Sequence, residues 1–191
     1  LQIINEYLNK SSVKILQNYG SFNIIYLRHV YEHVSDPLEF ISHIVTLLHD
    51  KGSIILEVPY LPSVIKNFRY ENISYSHLHL HSIKSLNAIF KQFDLGLSKF
   101  ELVANDGGSI IAHFKKGINT KSNLLETDLR DELKNFLVKG EKLKFFAHEK
   151  LKKYNIGKVI GYGAGAKGQH LIQVLGLEKF LSTVVDDTPG L

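Results

Sequence analysis

The chain contains no cysteine and no methionine among its 191 residues. The lack of cysteine excludes disulfide bonds and thiolate metal sites within this stretch. No run of about 18 apolar residues occurs, which argues against a membrane-spanning helix. No basic, apolar and small-residue leader opens the chain either. We therefore expect no membrane partner and a cytoplasmic location.

The two ends of the sequence resemble cuts through a larger protein. No methionine opens the chain, and its first residue lies within an apolar segment. At the other end, the run from Val184 to Gly190 stops where a strand gives way to a loop. We expect at least one strand of the first domain to precede Leu1.

Positive charge is in slight excess and is dispersed along the chain. There are 23 Lys and Arg residues against 19 Asp and Glu residues, a net charge of +4. The densest basic stretch, Lys139 to Lys153, has interleaved acids and is typical of a solvated helix face. The excess suits an anionic small molecule as well as DNA, so composition does not decide between them. Because the pattern favours a solvated helix face over a nucleic-acid footprint, we expect no nucleic-acid partner.

Strand-like and helix-like segments alternate along the first part of the chain. The apolar run Asn23–Leu27 predicts a buried parallel strand. Ser35-Asp36-Pro37 then predicts a helix start, with an N-cap candidate followed by proline. We expect that helix to end at Lys51-Gly52, with the glycine as a left-handed cap. The next predicted strand is Ser53–Val58.

A predicted hairpin completes this first sheet. The pattern from Ile83 to Phe93 favours an amphipathic helix. Phe100–Ala104 and Ser109–Phe114 are predicted strands, and Asn105–Gly108 between them is a strong turn signal. This order of elements predicts an α/β sheet with an antiparallel edge.

The last third of the chain predicts a second α/β unit. Lys115–Asn123 is polar and is interpreted as a linker. A long amphipathic helix begins at Leu129 and runs past Gly140, which weakens it by about 1 kcal/mol relative to alanine. A strand at Val159-Ile160 then leads through a glycine-rich turn into a helix that reaches Leu175. The strand Leu181–Val185 follows.

The first cluster of polar residues, Arg28 to Pro37, directly follows a predicted strand. Ligands of open α/β sheets lie beyond the carboxyl ends of the strands. His29 and His33 are four residues apart, so a helical turn would place them on one side. Two histidines at this spacing are able to bind a metal, but no third ligand is evident, and we predict none. Capping of the next helix is the alternative to a role in substrate or cofactor binding.

The second cluster runs from Tyr70 to His81. Histidine suits general-base chemistry because its ordinary pKa lies near neutrality. The histidines at 77, 79 and 81 alternate, so they would share one face of an extended chain. The alternative is that they are surface polar positions in a loop.

The third cluster is the glycine-rich turn. Gly161, Gly163 and Ala166 fit the dinucleotide-binding pattern, and Asp186 follows 20 residues after Ala166, where an acid would meet a ribose hydroxyl. The start of the following helix favours anions, and Lys167 adds a full positive charge. A tight strand–helix crossover without a ligand remains the alternative.

Three of these segments resemble a known enzyme family. Phe22–His33 is similar to the region of strand four in class I S-adenosylmethionine-dependent methyltransferases. Asp106–Ser109 and Gly161–Gly168 resemble the branch that C-methylates nucleotide-linked keto sugars. Members of that branch carry an additional carboxy-terminal α/β domain. The resemblance implies S-adenosylmethionine as cofactor, a nucleotide-linked sugar as substrate, and a first cofactor-binding strand upstream of this chain.

The resemblance implies a fold in three parts. Residues 1–116 would form the carboxy-terminal part of a Rossmann-like methyltransferase domain with its antiparallel edge hairpin. Residues 117–153 would form a linker and the long helix. Residues 154–191 would begin a second, Rossmann-like α/β domain.

The resemblance also implies roles for individual residues. His77 would be the base that removes a proton beside the ketone, so that the resulting enolate attacks the methyl group, and His33 a second catalytic residue. His29, Tyr75 and Glu71 would contact the substrate, and Arg28 and His29 the cofactor. Gly161, Gly163, Ala166, Lys167 and Asp186 would bind the nucleotide.

The sequence departs from the family at two positions before the expected base. Ser76 stands where the family has glutamate, and Ser74 where it has tyrosine, so Glu71 or Tyr75 would have to orient His77. The alternatives are O- or N-methylation of a small molecule, a nucleotide- or NAD-binding module, and a fragment without catalytic function.

Overall fold

The computed structural model describes residues 2–118, 128–154 and 158–188. The chain forms two compact units that do not follow the order of the sequence. The first, the sheet unit, comprises the described parts of residues 1–61 and 78–126. The second, the carboxy-terminal unit, comprises residues 62–77 and the described parts of 127–191. Residues 62–77 therefore leave the sheet unit and fold with the end of the chain.

A four-stranded mixed sheet forms the centre of the sheet unit. Its strands are β1 (Phe22–Arg28), β2 (Leu48–Pro59), β3 (Leu95–Val103) and β4 (Ser109–Lys116). Their spatial order is β1-β2-β4-β3. β1 and β2 are parallel, whereas β4 is antiparallel to both β2 and β3. The predicted α/β class with an antiparallel edge hairpin is confirmed.

Four helices accompany these strands along the chain, namely α1 (Lys10–Gln17), α2 (Pro37–Leu47), α3 (Leu61–Lys66) and α4 (Ile83–Lys91). The start of α2 is as predicted, because the Asp36 carboxylate accepts hydrogen bonds from the backbone N–H groups of Leu38 and Glu39. Ser82 begins α4 through a reciprocal capping pair with Ser85. Single 3₁₀ turns occupy Tyr31–His33, Tyr70–Asn72 and Asn105–Gly107.

The hydrophobic core lies on one face of the sheet. Alternate residues of β2, namely Ile54, Leu56 and Val58, are fully buried there. They belong to one cluster with residues of α2 and α4, and the Phe90 ring stacks on Phe114 at 3.9 Å between centroids. Each buried aliphatic or aromatic side chain stabilises the fold by about 1.5–3 kcal/mol.

The predicted end of α2 is wrong. The helix stops at Leu47, and Lys51 and Gly52 already lie in β2. Gly52 does not cap a helix; a Cβ atom there would lie 2.8 Å from the His49 carbonyl oxygen and 2.9 Å from that of Phe22. The glycine thus allows close approach of the backbones where the β1–β2 register shifts.

Two further boundaries differ from the prediction. β3 begins at Leu95 rather than Phe100, since the apolar residues at its start are buried against the core. Lys115 and Lys116 extend β4 instead of opening a linker, because β3 pairs with them. Positions 119–123 of the predicted linker lie outside the described residues.

The carboxy-terminal unit contains the predicted long helix and strand–helix–strand motif. Helix α5 (Arg130–Tyr154) continues through Gly140, and β5 (Val159–Tyr162), α6 (Ala166–Leu175) and β6 (Leu181–Val185) follow. β5 and β6 pair in parallel. Within the described ranges, no helix has both the length and the apolar character needed to cross a membrane.

Candidate functional site

A buried carboxylate lies at the carboxyl ends of β1 and β2. Glu57 is 2% exposed and accepts three side-chain hydrogen bonds. Tyr26 Oη donates to Oε2 over 2.8 Å, Arg28 Nε to the same oxygen over 3.1 Å, and Asn105 Nδ2 to Oε1 over 3.1 Å. These donors come from β1 and from the turn between β3 and β4, so Glu57 ties the end of the sheet together.

The hydrogen bonds keep Glu57 ionised. Burial by itself would raise the pKa of this carboxyl group. Donation from Asn105 and Tyr26, together with the charge and hydrogen bond of Arg28, outweighs burial and holds the pKa of Glu57 below its ordinary value. The end of the sheet therefore carries a fixed negative charge.

His29 is bracketed by two buried carboxylates. Its Nδ1 lies 3.1 Å from Glu32 Oε1, and its Nε2 lies 3.5 Å from Glu57 Oε1. The backbone of His29 has a φ of 48°, a left-handed conformation that is uncommon outside glycine. Its N–H donates to the carbonyl of Glu57, which continues the β1–β2 ladder by one residue. This conformation turns the imidazole toward the acids, and such backbone outliers concentrate at functional sites.

The helical turn that would place His29 and His33 on one side does not form. Only Tyr31–His33 is helical, as a 3₁₀ turn, and His29 precedes it with a left-handed backbone. His33 instead lines a cleft of about 800 Å³ beside β1. The cleft is otherwise predominantly apolar, and its lining includes Leu27, Val30, Val34 and Phe40. Its size and character are those of a small-molecule site.

In the carboxy-terminal unit, His77 is oriented by a backbone carbonyl. Its Nδ1 lies 2.9 Å from the oxygen of Asn72. Because a carbonyl only accepts hydrogen bonds, Nδ1 carries the proton, and Nε2 is the acceptor atom of the neutral ring. The backbone N–H of His77 also donates to Ser74, over 3.1 Å. An imidazole held in this tautomer is able to accept a proton at Nε2.

The other residues predicted around His77 have different surroundings. Glu71 forms an ion pair with Arg69 at 2.6 Å. The side chain of Tyr75 is exposed. Ser74 and Ser76, at the family's tyrosine and glutamate positions, share a hydrogen bond of 2.9 Å. The orienting group found for His77 is therefore Asn72, which sequence reasoning missed because a backbone carbonyl leaves no mark on residue type.

His79 and His81 belong to the sheet unit. His79 Nε2 lies 2.9 Å from the carbonyl oxygen of Val34. His81 is only 5% exposed and stacks on Tyr31 at 5.1 Å. Burial, with a smaller contribution from His79, lowers the pKa of His81 to about 4. The interpretation of this histidine as a surface loop residue is wrong, because it is part of the core.

The glycine-rich turn has the geometry of a tight strand–helix crossover. Gly161 lies within β5, and Ala166 and Lys167 are the first two residues of α6. Gly163 has a φ of 106°, which favours glycine, and its N–H donates to Val185 over 2.8 Å. A side chain at Gly168 would collide with the Gly163 carbonyl, so the start of α6 lies directly against the turn.

The carboxylate of Asp186 closes this turn. Its Oδ1 accepts from the N–H of Thr188 over 2.8 Å, and its Oδ2 from the N–H of Ala164 over 2.7 Å. The bonds from Thr188, followed by that from Ala164, hold the pKa of Asp186 below its usual value. The acid thus stabilises the turn itself, and a ribose contact remains a prediction.

Two buried acids were not singled out from the sequence. Glu32 is 1% exposed and Glu57 is 2% exposed. Glu57 stands between apolar residues near the end of a predicted strand, and a charge in that position is rarely buried without partners. That pattern is the signal by which it was detectable.

Part of the chain is similar in sequence to known methyltransferases. A family model described as a methyltransferase domain matches residues 4–98. The C-methyltransferase NovU of Streptomyces niveus is 29% identical over 98 residues, which cover 51% of this chain and 23% of that protein. The chain thus spans about a quarter of the length of this curated relative.

Similar solved structures include two complexes. LepI with SAM has a TM-score of 0.41 and 15% identity, over 50% of this chain and 26% of that one. The N-methyltransferase NodS of Bradyrhizobium japonicum with S-adenosyl-L-homocysteine has a TM-score of 0.38 and 14% identity, over 51% and 47%. Over residues 4–98 this chain is therefore similar in sequence to a methyltransferase domain.

Proposed function

We propose that the protein containing this chain transfers a methyl group from S-adenosylmethionine to carbon, beside the ketone of a nucleotide-linked sugar. The observation that carries the proposal is the His77 imidazole, whose Nδ1 is held by the Asn72 carbonyl, so that Nε2 is the basic atom. The methyltransferase-domain match over residues 4–98 and the similarity to a C-methyltransferase support the same chemistry.

The sheet unit has features that fit the cofactor. The largely apolar cleft beside β1 suits a purine ring and its ribose. The Arg28 side chain is 58% exposed although its Nε binds Glu57, so its outer N–H groups suit the carboxylate of an amino acid. Arg28 and His29 are therefore the proposed cofactor contacts. S-adenosylmethionine, when bound, supplies a methyl group on a positively charged sulfur.

In the proposed mechanism, His77 performs the proton transfer. Nε2 removes a proton from the carbon beside the ketone, and that carbon's electron pair forms the new bond to the methyl carbon as the sulfur–methyl bond breaks. The Asn72 carbonyl stabilises the resulting imidazolium through the Nδ1–H bond. Solvent then takes the proton from His77. His33 is the proposed second catalytic residue, and His29, Glu71 and Tyr75 the proposed substrate contacts.

The glycine-rich turn is the proposed site for the nucleotide part of the substrate. Gly161, Gly163 and Ala166 would let backbone N–H groups approach a diphosphate, and Lys167 would add positive charge. Support comes from the left-handed Gly163 and from the closeness of Gly168 to the turn. Asp186 would accept a ribose hydroxyl while keeping its bonds to the turn.

The test uses the full-length protein, S-adenosylmethionine with a ¹³C-labelled methyl group, and a nucleoside-diphosphate 4-keto sugar. We expect the label on the carbon beside the ketone, detected by its carbon–carbon coupling. His77→Ala should lose turnover but bind S-adenosylmethionine as the wild type does. His49→Ala, at an exposed histidine of β2, is the matched control and should remain active.

Three outcomes would contradict the proposal. A label on oxygen or nitrogen would make the protein a heteroatom methyltransferase, for which no carbon-directed base is needed. Tight NAD binding with no response to S-adenosylmethionine would instead make it a nucleotide-binding module. Undiminished turnover by His77→Ala would remove that histidine from the mechanism.

A further inference from the structure

We propose that Tyr70, Phe136 and Gly140 form an anchor that positions His77, so that helix α5 sets the alignment of the base. All of these residues belong to the carboxy-terminal unit. The inference deepens the proposed function and rests on it for its activity readout alone. None of the three is a catalytic residue; each would act through the segment that carries His77.

The contact between Tyr70 and α5 is close and directional. The Tyr70 ring packs on Phe136 with centroids 4.2 Å apart, and its hydroxyl donates to the Phe136 carbonyl oxygen over 2.6 Å. Phe136 is 3% exposed. Phe68 stacks on the same ring at 6.2 Å, and Lys139 Nζ lies 3.9 Å above Phe68. Two aromatic residues of the segment are thus fixed to one turn of α5.

Gly140 is the part of this contact that the helix alone does not explain. Glycine in a helix interior is unfavourable relative to alanine. A Cβ atom at this position would lie 3.0 Å from Tyr70 Cε1 and 3.4 Å from its Cζ and hydroxyl oxygen. The missing side chain therefore leaves room for the tyrosine ring, which accounts for a glycine ten residues into a 25-residue helix.

A short hydrogen-bonded path connects the anchor with the imidazole. The N–H of Ile73 donates to the Tyr70 carbonyl, which closes the 3₁₀ turn Tyr70–Asn72. Asn72, at the end of that turn, is fully buried and presents its carbonyl oxygen to His77 Nδ1. A displacement of the Tyr70 ring moves the turn, and with it the group that orients the base.

The decisive variant is Gly140→Ala in the full-length protein. Alanine is the better helix former, so α5 is not weakened, while the added methyl group displaces Tyr70. We expect a changed His77 ¹⁵Nδ1 resonance and faster amide exchange at Ile73 and His77. With a nucleoside-diphosphate 4-keto sugar, kcat should fall about tenfold, as small misplacements of catalytic groups produce. The KM for S-adenosylmethionine should not change.

Matched variants separate positioning from general stability. Lys142→Ala adds alanine at an exposed position two residues along the same helix and should leave every signal unchanged. Tyr70→Phe keeps the ring and loses only the bond to Phe136, so its effect should be smaller than that of Tyr70→Ala. The displacement of the His77 ¹⁵Nδ1 resonance from its wild-type position should be small in Tyr70→Phe and larger in Tyr70→Ala.

The outcomes distinguish the anchor from the proposed function. Wild-type His77 signals and kcat in both Gly140→Ala and Tyr70→Ala would overturn the anchor. Failure of the wild type to methylate the keto sugar, with the His77 resonance still shifted by Gly140→Ala, would support the anchor and overturn the proposed function.

Discussion

The two units hold their candidate functional residues by different means. In the sheet unit, Arg28 and His29 are fixed by charged side chains, through the buried carboxylates Glu32 and Glu57. In the carboxy-terminal unit, His77 is fixed by a backbone carbonyl, and the segment around it by aromatic packing on α5. The first arrangement depends on ionisation and the second on the position of the backbone, so the two should respond to different perturbations.

Their cores differ as well. Fifteen buried apolar side chains form one cluster in the sheet unit. In the described part of the carboxy-terminal unit, the buried apolar side chains are Val64, Ile65 and Phe136, and α6 buries no residue. Since burial of apolar area is the main source of folding free energy, the stability of this chain is concentrated in the sheet unit.

The largest effect is expected from removing a phenylalanine ring from the sheet core. Phe90 is fully buried and stacks on Phe114, so Phe90→Ala should lower the free energy of unfolding by about 3–5 kcal/mol. Phe145 in α5 is 69% exposed, and Phe145→Ala should change the free energy of unfolding by no more than about 0.5 kcal/mol. Urea unfolding measures both. Equal losses would show that Phe145 is covered in the full-length protein and would break the contrast.

A pH dependence of stability is expected in the sheet unit because of His81. Its pKa is lowered from 6.5 to about 4, so the folded state binds fewer protons than the unfolded state between these values. The contribution of His81 to the free energy of unfolding is fully present above pH 6.5. It declines as pH falls toward 4, by up to about 3 kcal/mol. His81→Phe keeps the stacking on Tyr31 and should abolish most of this slope in urea unfolding at pH 4.5 and 7. An unchanged slope would assign the effect to other groups.

The elements with local signals were predictable from sequence. β1 follows from an apolar run, the start of α2 from Asp36-Pro37, and the hairpin from the turn Asn105–Gly108, because each depends on neighbours within a few residues. The prediction that the strand at Asn23–Leu27 is buried is wrong, since no residue of β1 is buried. The long helix α5 follows from its periodicity.

Features that depend on distant contacts were not predictable. Lys115 is predicted to lie in a linker, but it belongs to β4 because it pairs with Gly96. Gly52 is predicted to cap a helix, but its lack of a side chain instead allows the backbone of Phe22 to approach closely. The segment that carries His77 is predicted to belong to the first domain, yet residues 62–77 fold with the carboxy-terminal unit. In each case the deciding partner lies far along the chain, beyond the reach of local pattern.

The smallest of these effects tests the charged end of the sheet. Glu57→Gln keeps the shape of the side chain but removes the charge that Tyr26 and Arg28 bind, so the free energy of unfolding should fall by about 1.5–3 kcal/mol at pH 7. Because the folded-state pKa of Glu57 is lowered, this stabilisation exists above the ordinary carboxyl pKa and is lost as pH falls through the folded value. The difference between wild type and variant should therefore shrink in acid.

Asp50→Asn is the control for this variant. Asp50 is 94% exposed and pairs with Lys116, so Asp50→Asn should lower the free energy of unfolding by less than about 1 kcal/mol. Glu57→Gln should also weaken S-adenosylmethionine binding by releasing Arg28 and His29, while the His77 ¹⁵Nδ1 resonance stays at its wild-type position. A shift of that resonance would mean that the charge network of the sheet unit also governs the base, and that the two means of fixing functional residues are coupled.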